Sequence, residues 1–273
     1  MTFLVTGATG NVGRRVVAAL LDGGHQVRAL TRNPAAAGLP DGVEVVAGDL
    51  TRPETLDGVF DGVRAVHFIG FAGDDYGPLE TAAEVVELAV RAGVRRATVL
   101  KGVQGEQVEE ALQATGLEWT FVQPVEFMSN ALDWVGSIRD GQTVREPFPA
   151  ALSAMVHEAD IAAVIVTALT GDGHHGQTYT LTGPEALTKP DKVRILAEAT
   201  GRDIAYVELT EEQARERWAA EGHDKDTIDF FVWVHGSPPE IGYTVVDTVE
   251  QVTGRPARTF AEWAAEHRER FTA

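Results

Sequence analysis

The stretch Gly7-Ala8-Thr9-Gly10-Asn11-Val12-Gly13 follows directly on an apolar run, Phe3-Leu4-Val5, and opens a helical pattern with Val12, Val16, Val17, Leu20 and Leu21 on one face. Few local patterns constrain a fold so tightly. The first glycine permits a tight turn, the second lets backbone approach a pyrophosphate, and the third lets a helix sit close on a sheet. The N–H groups at the start of that helix have no partner within it and can hold an anion. A strand–turn–helix of this kind therefore predicts a dinucleotide held by Gly7, Thr9, Gly10, Asn11, Val12 and Gly13. A glycine-rich turn of purely structural use is the alternative, and the strand that follows the helix weighs against it.

The rest of the first half repeats the alternation. Gln26–Leu30, Val43–Val46, Ala65–Ile69, Ala97–Leu100 and Trp119–Val122 are predicted strands, and Leu79–Ala92 is a predicted helix. The runs at Phe3, Ala65 and Ala97 are almost continuously apolar, as strands covered on both faces should be. Strand–helix–strand at this spacing implies parallel strands joined by right-handed crossovers, hence an α/β doubly wound parallel sheet of the Rossmann kind. Beyond Pro124 the alternation loosens. Helices are predicted at Glu158–Leu169, Thr188–Thr200, Thr210–Ala220, Asp226–Val234 and Thr259–Arg270, with a strand at Gln177–Leu181. With 273 residues available, the expected division is a nucleotide-binding domain over residues 1–150 and a smaller, closely packed α/β lobe over residues 151–273 that covers a substrate.

Composition narrows the chemistry. The chain has no cysteine, which removes disulfides, iron–sulfur clusters, thiolate zinc sites and a cysteine nucleophile. A net charge of −18 argues against nucleic acid or an anionic membrane as partner. No secretory leader and no apolar run of membrane-spanning length is visible, so a cytoplasmic protein is expected.

The strand at Gln26–Leu30 indicates which dinucleotide. NAD sites usually carry an acid about twenty residues beyond the glycines, to hold the ribose hydroxyls. Here the strand ends Leu30-Thr31-Arg32-Asn33-Pro34 with no acid. Arg32 can grip a 2′-phosphate through its planar fork, whereas a carboxylate would repel it. NADP(H) is accordingly preferred over NAD(H). Asp49 and Leu50, in Gly48-Asp49-Leu50, are placed to meet the adenine, although a turn or helix-capping role would suit Asp49 as well.

Several catalytic classes are excluded. The four lysines are Lys101, Lys189, Lys192 and Lys225, and none stands four residues after a tyrosine, so no Tyr-x-x-x-Lys dyad exists. No Gly-Lys pair supports a Walker loop, and no serine lies in a Gly-x-Ser-x-Gly elbow. His157-Glu158 lacks a second histidine at zinc-protease spacing, so no metal site is expected.

Taken in order, Val5-Thr6-Gly7-Ala8-Thr9-Gly10-Asn11-Val12-Gly13, Thr31-Arg32-Asn33-Pro34, Gly48-Asp49-Leu50, Thr115-Gly116-Leu117-Glu118-Trp119-Thr120 and Phe127-Met128-Ser129-Asn130 continue into His157-Glu158-Ala159-Asp160-Ile161-Ala162, Leu181-Thr182-Gly183-Pro184 and Thr253-Gly254-Arg255-Pro256. The whole set resembles the NmrA-like branch of the atypical short-chain dehydrogenase/reductases, which includes NADPH-dependent quinone and azo-dye reductases and redox-sensing regulators. The resemblance implies that the loops after Ile69, Leu100 and Val122 line the nicotinamide half of the site, bringing in Ile69, Gly70, Phe71 and Lys101. Three positions depart from the family pattern. Lys101-Gly102 stands where relatives often have serine, Gly105 or a near neighbour stands where many have lysine, and Gln123-Pro124 replaces Arg-Pro.

Lys101, Tyr76 and His157 are the candidate catalytic groups. Each has a plainer reading, as a snorkelling lysine, a lid tyrosine and a helix-entry histidine. Among the aromatic and methionine residues, ordinary core is the default. Phe127, Met128 and Trp134 are candidates for an apolar substrate pocket. The leading expectation is NADPH-dependent hydride transfer to a small flat electrophile such as a quinone, azo compound or conjugated carbonyl. A non-catalytic NADP(H) sensor with a protein partner, a biosynthetic ketoreductase and a homodimeric assembly remain open.

Overall fold

The computed structural model describes residues 1–72, 77–102 and 106–272. The chain forms two compact units that are not consecutive stretches of sequence. The first comprises Met1–Pro124, Glu158–Leu181 and Gln251–Gly254; the second comprises Val125–His157, Thr182–Glu250 and Arg255–Ala273.

The first unit is built on a sheet of β1 (Thr2–Val5), β2 (Gln26–Thr31), β3 (Glu44–Ala47), β4 (Val63–Ile69), β5 (Arg96–Leu100), β6 (Glu118–Pro124) and β7 (Gln177–Leu181). Its order is β7-β6-β5-β4-β1-β2-β3, and every pairing is parallel. The apolar runs fall where both faces are covered: Phe3, Leu4, Val5, Val66, Phe68, Ala97 and Val99 are all buried. Helices α1 (Asn11–Asp22), α2 (Ala82–Arg91), α3 (Gln107–Gln113) and α4 (Glu158–Thr170) supply the cover. α1 buries Val12, Gly13, Val16, Val17 and Leu20 and packs on α4, while α2 lies beside α3. Each fully buried valine or leucine contributes roughly 1.5–3 kcal/mol.

This order has one physical consequence for function. The chain runs outward from β1 through β2 to β3, then returns to lay β4 on the other flank of β1. Beyond the carboxyl ends of the β1–β4 pair, the two following loops diverge and leave the crevice in which ligands of such sheets bind.

The doubly wound architecture and the positions of the six early strands agree with the sequence expectation. Two elements expected in the C-terminal lobe belong to the first unit instead. β7 pairs in parallel with β6, Gln177 to Thr120 through Leu181 to Pro124, and α4 buries Ile161, Ala162, Val164, Ile165, Ala168 and Leu169. An almost wholly apolar helix needs cover on several sides, and the face of a parallel sheet provides it. Helix α3 had not been expected; its buried positions include Glu109 beside Val108 and Leu112, which breaks the apolar period.

The second unit has its own core of Met128, Ile138, Val144, Met155, Leu196, Phe260, Trp263 and Phe271. A parallel two-stranded ribbon, Thr143–Pro147 with Ala205–Leu209, and an antiparallel one, Leu152–Ser153 with Leu187–Thr188, accompany its helices. The helix Lys189–Thr200 begins on a capping box between Thr188 and Asp191, which satisfies two amide groups of the first turn. Among the described residues, no helix is long and apolar enough to cross a membrane.

Candidate functional site

At the carboxyl end of β1, Gly7 takes φ +59°, a left-handed conformation that glycine adopts without strain. A Cβ there would also lie 2.5 Å from Ile69 Cγ2. Gly10 N donates to Gly7 O at 3.0 Å, and Arg14 N donates to Gly10 O at 3.0 Å. Gly10 caps α1 with no side-chain hydrogen bond, so no side chain covers the start of the helix as a capping residue. A Cβ on Gly10 would come within 3.3 Å of Gly7 O, and one on Gly13 within 2.1 Å of the same atom. The loop is thus a backbone cradle that side chains at these positions would fill or break, and it fits the pyrophosphate of a dinucleotide.

Next to the cradle is an open cleft. Gly7, Thr9, Arg32, Asp49, Leu50, Ile69 and Phe71, all expected from sequence, line it together with Leu30, Thr31, Gly48, Thr51 and Ala72. Asp49 Oδ1 accepts from Thr51 N at 2.9 Å and Thr51 Oγ1 at 2.8 Å. Burial pushes the Asp49 carboxyl up, but the two Thr51 hydrogen bonds and the nearby Arg32 and Arg52 cations outweigh it and hold the group below its ordinary range. Asp49 N in turn donates to Thr55 Oγ1 at 2.9 Å. Gly48 is required where it stands, because a Cβ would meet Leu30 Cδ1 at 2.8 Å and Leu56 Cδ2 at 2.9 Å.

Arg14 was not anticipated. Its Nε donates to Thr9 O at 2.8 Å, its Nη1 to Gly38 O at 2.7 Å and its Nη2 to Ala37 O at 2.8 Å. One guanidinium therefore ties the glycine loop to the segment that follows Arg32. The signal was present in the sequence: a cation in the first turn of a helix opposes the dipole, so its presence calls for a partner elsewhere.

On the other flank, the Thr6 hydroxyl donates to His67 O at 3.0 Å and accepts from Ile69 N at 2.9 Å, which fixes the end of β1 against the end of β4. His67 is buried, with Nδ1 2.8 Å from Thr98 Oγ1. Burial drives its pKa down to about 3, so the imidazole is neutral. Gly70 stands over the end of β5, where a Cβ would lie 3.2 Å from Leu100 O. The next residue along β5, Lys101, donates its N–H to Val122 O at 2.8 Å. Its ammonium lies 2.5 Å from Glu106 Oε1 and 3.9 Å from Glu109 Oε1. Ile69 and Leu100 are register partners, so Gly70 and Lys101 leave the sheet side by side.

The remaining candidates are distributed differently. Tyr76 and Gly105 lie outside the described residues. His157 belongs to the second unit, where it is buried with Nε2 3.2 Å from Glu266 Oε2. Met128 is buried in that unit's core with Met155 and Phe260. Trp134 donates Nε1–H to Glu146 Oε1 at 3.3 Å, and Phe127 forms an isolated bridge with Val156.

Residues 7–107 match a family model described as NAD(P)H-binding. The chain is 38% identical to (4-alkanoyl-5-oxo-2,5-dihydrofuran-3-yl)methyl phosphate reductase of Streptomyces griseus, over 98% of each chain. It is 35% identical to NAD(P)H azoreductase of Xenophilus azovorans, over 99% of each. In fold it is similar to the triphenylmethane reductase of Citrobacter sp. solved with NADP(H), with a TM-score of 0.81 at 22% identity over 98% of this chain and 100% of that one. With the cradle, the cleft and these likenesses together, the chain belongs to the NAD(P)H-binding, NmrA-like branch of the atypical short-chain dehydrogenase/reductases.

Proposed function

We propose that this protein is an NADPH-dependent reductase that delivers hydride to a small, flat electrophile: a quinone, an azo compound or a conjugated carbonyl. The observation that carries the reading is the cleft that runs from Arg32 and Asp49, past Gly7 and Thr9, to Ile69 and Phe71. Arg32 would hold the 2′-phosphate, the Gly7–Gly13 backbone the pyrophosphate, and the loop Ile69–Phe71 the nicotinamide side. Bound NADPH supplies a hydride; the chain's own residues orient the acceptor, exclude water and manage one proton.

Two features favour flat, readily reduced acceptors. A simple ketone needs a strong positioned acid, and this chain has no Tyr-x-x-x-Lys dyad. The phenolate left when a quinone takes up hydride is a much weaker base than an alkoxide, so one ammonium beside the strand ends suffices, and Lys101 is the group we assign to it. The names of the two relatives agree with this. One is named for reducing an azo bond, and the other for reducing a dihydrofuranone whose ring oxo and 4-alkanoyl groups are both conjugated with one carbon–carbon double bond. A cytoplasmic setting goes with the reading, in keeping with a cysteine-free chain of net charge −18.

The test is consumption of NADPH, followed by nicotinamide absorbance, with quinones, azo compounds and conjugated carbonyls as acceptors. Turnover with at least one class is expected, and faster with NADPH than with NADH. If NADPH binds and no acceptor of any class is reduced, the enzyme reading fails and an NADP(H) sensor takes its place.

A further inference from the structure

Beneath Lys101 the fold buries a carboxyl group and leaves it unsatisfied. Glu109, on α3, is 2% exposed, and among the described residues neither Oε1 nor Oε2 accepts a hydrogen bond. Burying a carboxyl without partners is costly, and an apolar residue would serve packing on α3 better. Its place is specific: Oε1 lies 3.9 Å from the point a Gly70 Cβ would occupy and 3.9 Å from Lys101 Nζ. The carboxyl therefore sits directly under the ends of β4 and β5, where the candidate site opens.

The charged groups that face it are few. Lys101 attracts its carboxylate form, while Glu106 and Glu110 oppose it. On α2, the neighbouring helix, Glu84, Glu87 and Arg91 are exposed. Burial is the largest influence and pushes the Glu109 carboxyl up; its own backbone N–H, close but outside hydrogen-bond geometry, and Lys101 pull the other way without prevailing. Lys101 thus has two acidic neighbours of opposite character, the exposed Glu106 at 2.5 Å and the buried Glu109 at 3.9 Å.

We propose that Glu109 is a positioning residue that stores a proton for Lys101, whose ammonium moves between Glu106 at the surface and Glu109 beneath it during each reduction. The proposal rests on Lys101 as proton donor in the reductase reading. An acceptor that has gained a hydride bears one negative charge. Breaking one Nζ–H bond of Lys101 neutralises it and leaves an amine. The Glu109 O–H bond then breaks, its proton restores the ammonium, and the new carboxylate is paired by that ammonium until water returns a proton through the exposed side of Lys101. No electrons move in this relay.

Glu109→Gln keeps the shape and removes the proton. In the cofactor-free protein labelled with ¹³C-carboxyl glutamate, one resonance should titrate above the ordinary glutamate value of about 4.3, vanish in Glu109→Gln, and move higher still in Lys101→Met. With an azo or conjugated-carbonyl acceptor, kcat of the Gln variant should fall roughly tenfold or more, short of the 10²–10⁴ of a direct proton donor. KM and NADPH affinity should stay unchanged, and the fall in kcat with rising pH should flatten. Absence of a raised glutamate titration overturns the proposal. So does a Glu109→Gln variant with wild-type kcat and pH profile while Lys101→Met is impaired, and this leaves the reductase reading standing. Full activity of Lys101→Met removes the donor role itself and the relay with it.

Discussion

Arg32 illustrates what a single residue can disclose. The inference to a 2′-phosphate came from an absence, since no acid follows β2 where a ribose-binding carboxylate would stand. The structure puts Arg32 on the cleft wall beside Asp49, whose carboxylate it helps keep ionised. Arg32→Ala should weaken NADPH binding by about 1.5–3 kcal/mol, the range of a charge-assisted hydrogen bond, and leave NADH nearly unaffected. Titration of nicotinamide fluorescence with both cofactors measures the difference, and equal losses would remove Arg32 from the phosphate site. Other residues were harder to see. Arg14 is visible in sequence only as a cation in an unfavourable place, and nothing local says that it reaches Ala37 and Gly38 across more than twenty positions. Glu109 was hidden more completely, because its chemistry depends on being buried, and burial of a glutamate is the outcome sequence reasoning discounts.

Among elements, those specified by short-range rules were legible. The glycine loop, α1 and the early strands follow from turn chemistry and apolar periodicity, and the structure agrees to within a residue or two. Helix α3 failed for a physical reason, since a buried carboxyl, Glu109, interrupts the apolar pattern from which a helix is recognised. The loop before α1 can be tested as a unit. A Cβ on Gly10 is nearly tolerated, at 3.3 Å from Gly7 O, but the further methyls of valine would occupy the cradle. Gly10→Val should therefore keep the fold, judged by an unchanged thermal midpoint, while NADH and NADPH affinities fall together by at least tenfold. A folded variant that still bound either cofactor normally would reduce the loop to a turn. Gly13 makes the contrast: its Cβ would overlap Gly7 O at 2.1 Å, so Gly13→Ala should cost stability first, about 1–3 kcal/mol of overpacking.

At the scale of the molecule, sequence shows which elements exist more readily than which unit each joins. α4 and β7 return to the first unit after the chain has left it, a pairing set by long-range sheet contacts that no local window contains. The same sheet makes acid stability a property of the whole. His67 lies in β4 between β1 and β5, with a pKa near 3 against an ordinary value of 6.5. Between those two values the unfolded chain binds a proton that the native imidazole refuses, so stability is complete above pH 6.5 and declines as pH falls toward 3. At pH 5 the loss from His67 alone should be about 2 kcal/mol, taking 1.36 kcal/mol for each pH unit below 6.5. His174 and His235, also lowered by burial, add in the same direction, whereas Glu109, raised by burial, opposes them once its carboxyl binds a proton. Urea unfolding of wild type and His67→Asn at pH 7.5 and pH 5 isolates the contribution, because asparagine can still bond Thr98 but does not titrate. The wild type should lose about 2 kcal/mol more than the variant over that interval, and an equal loss would exclude His67.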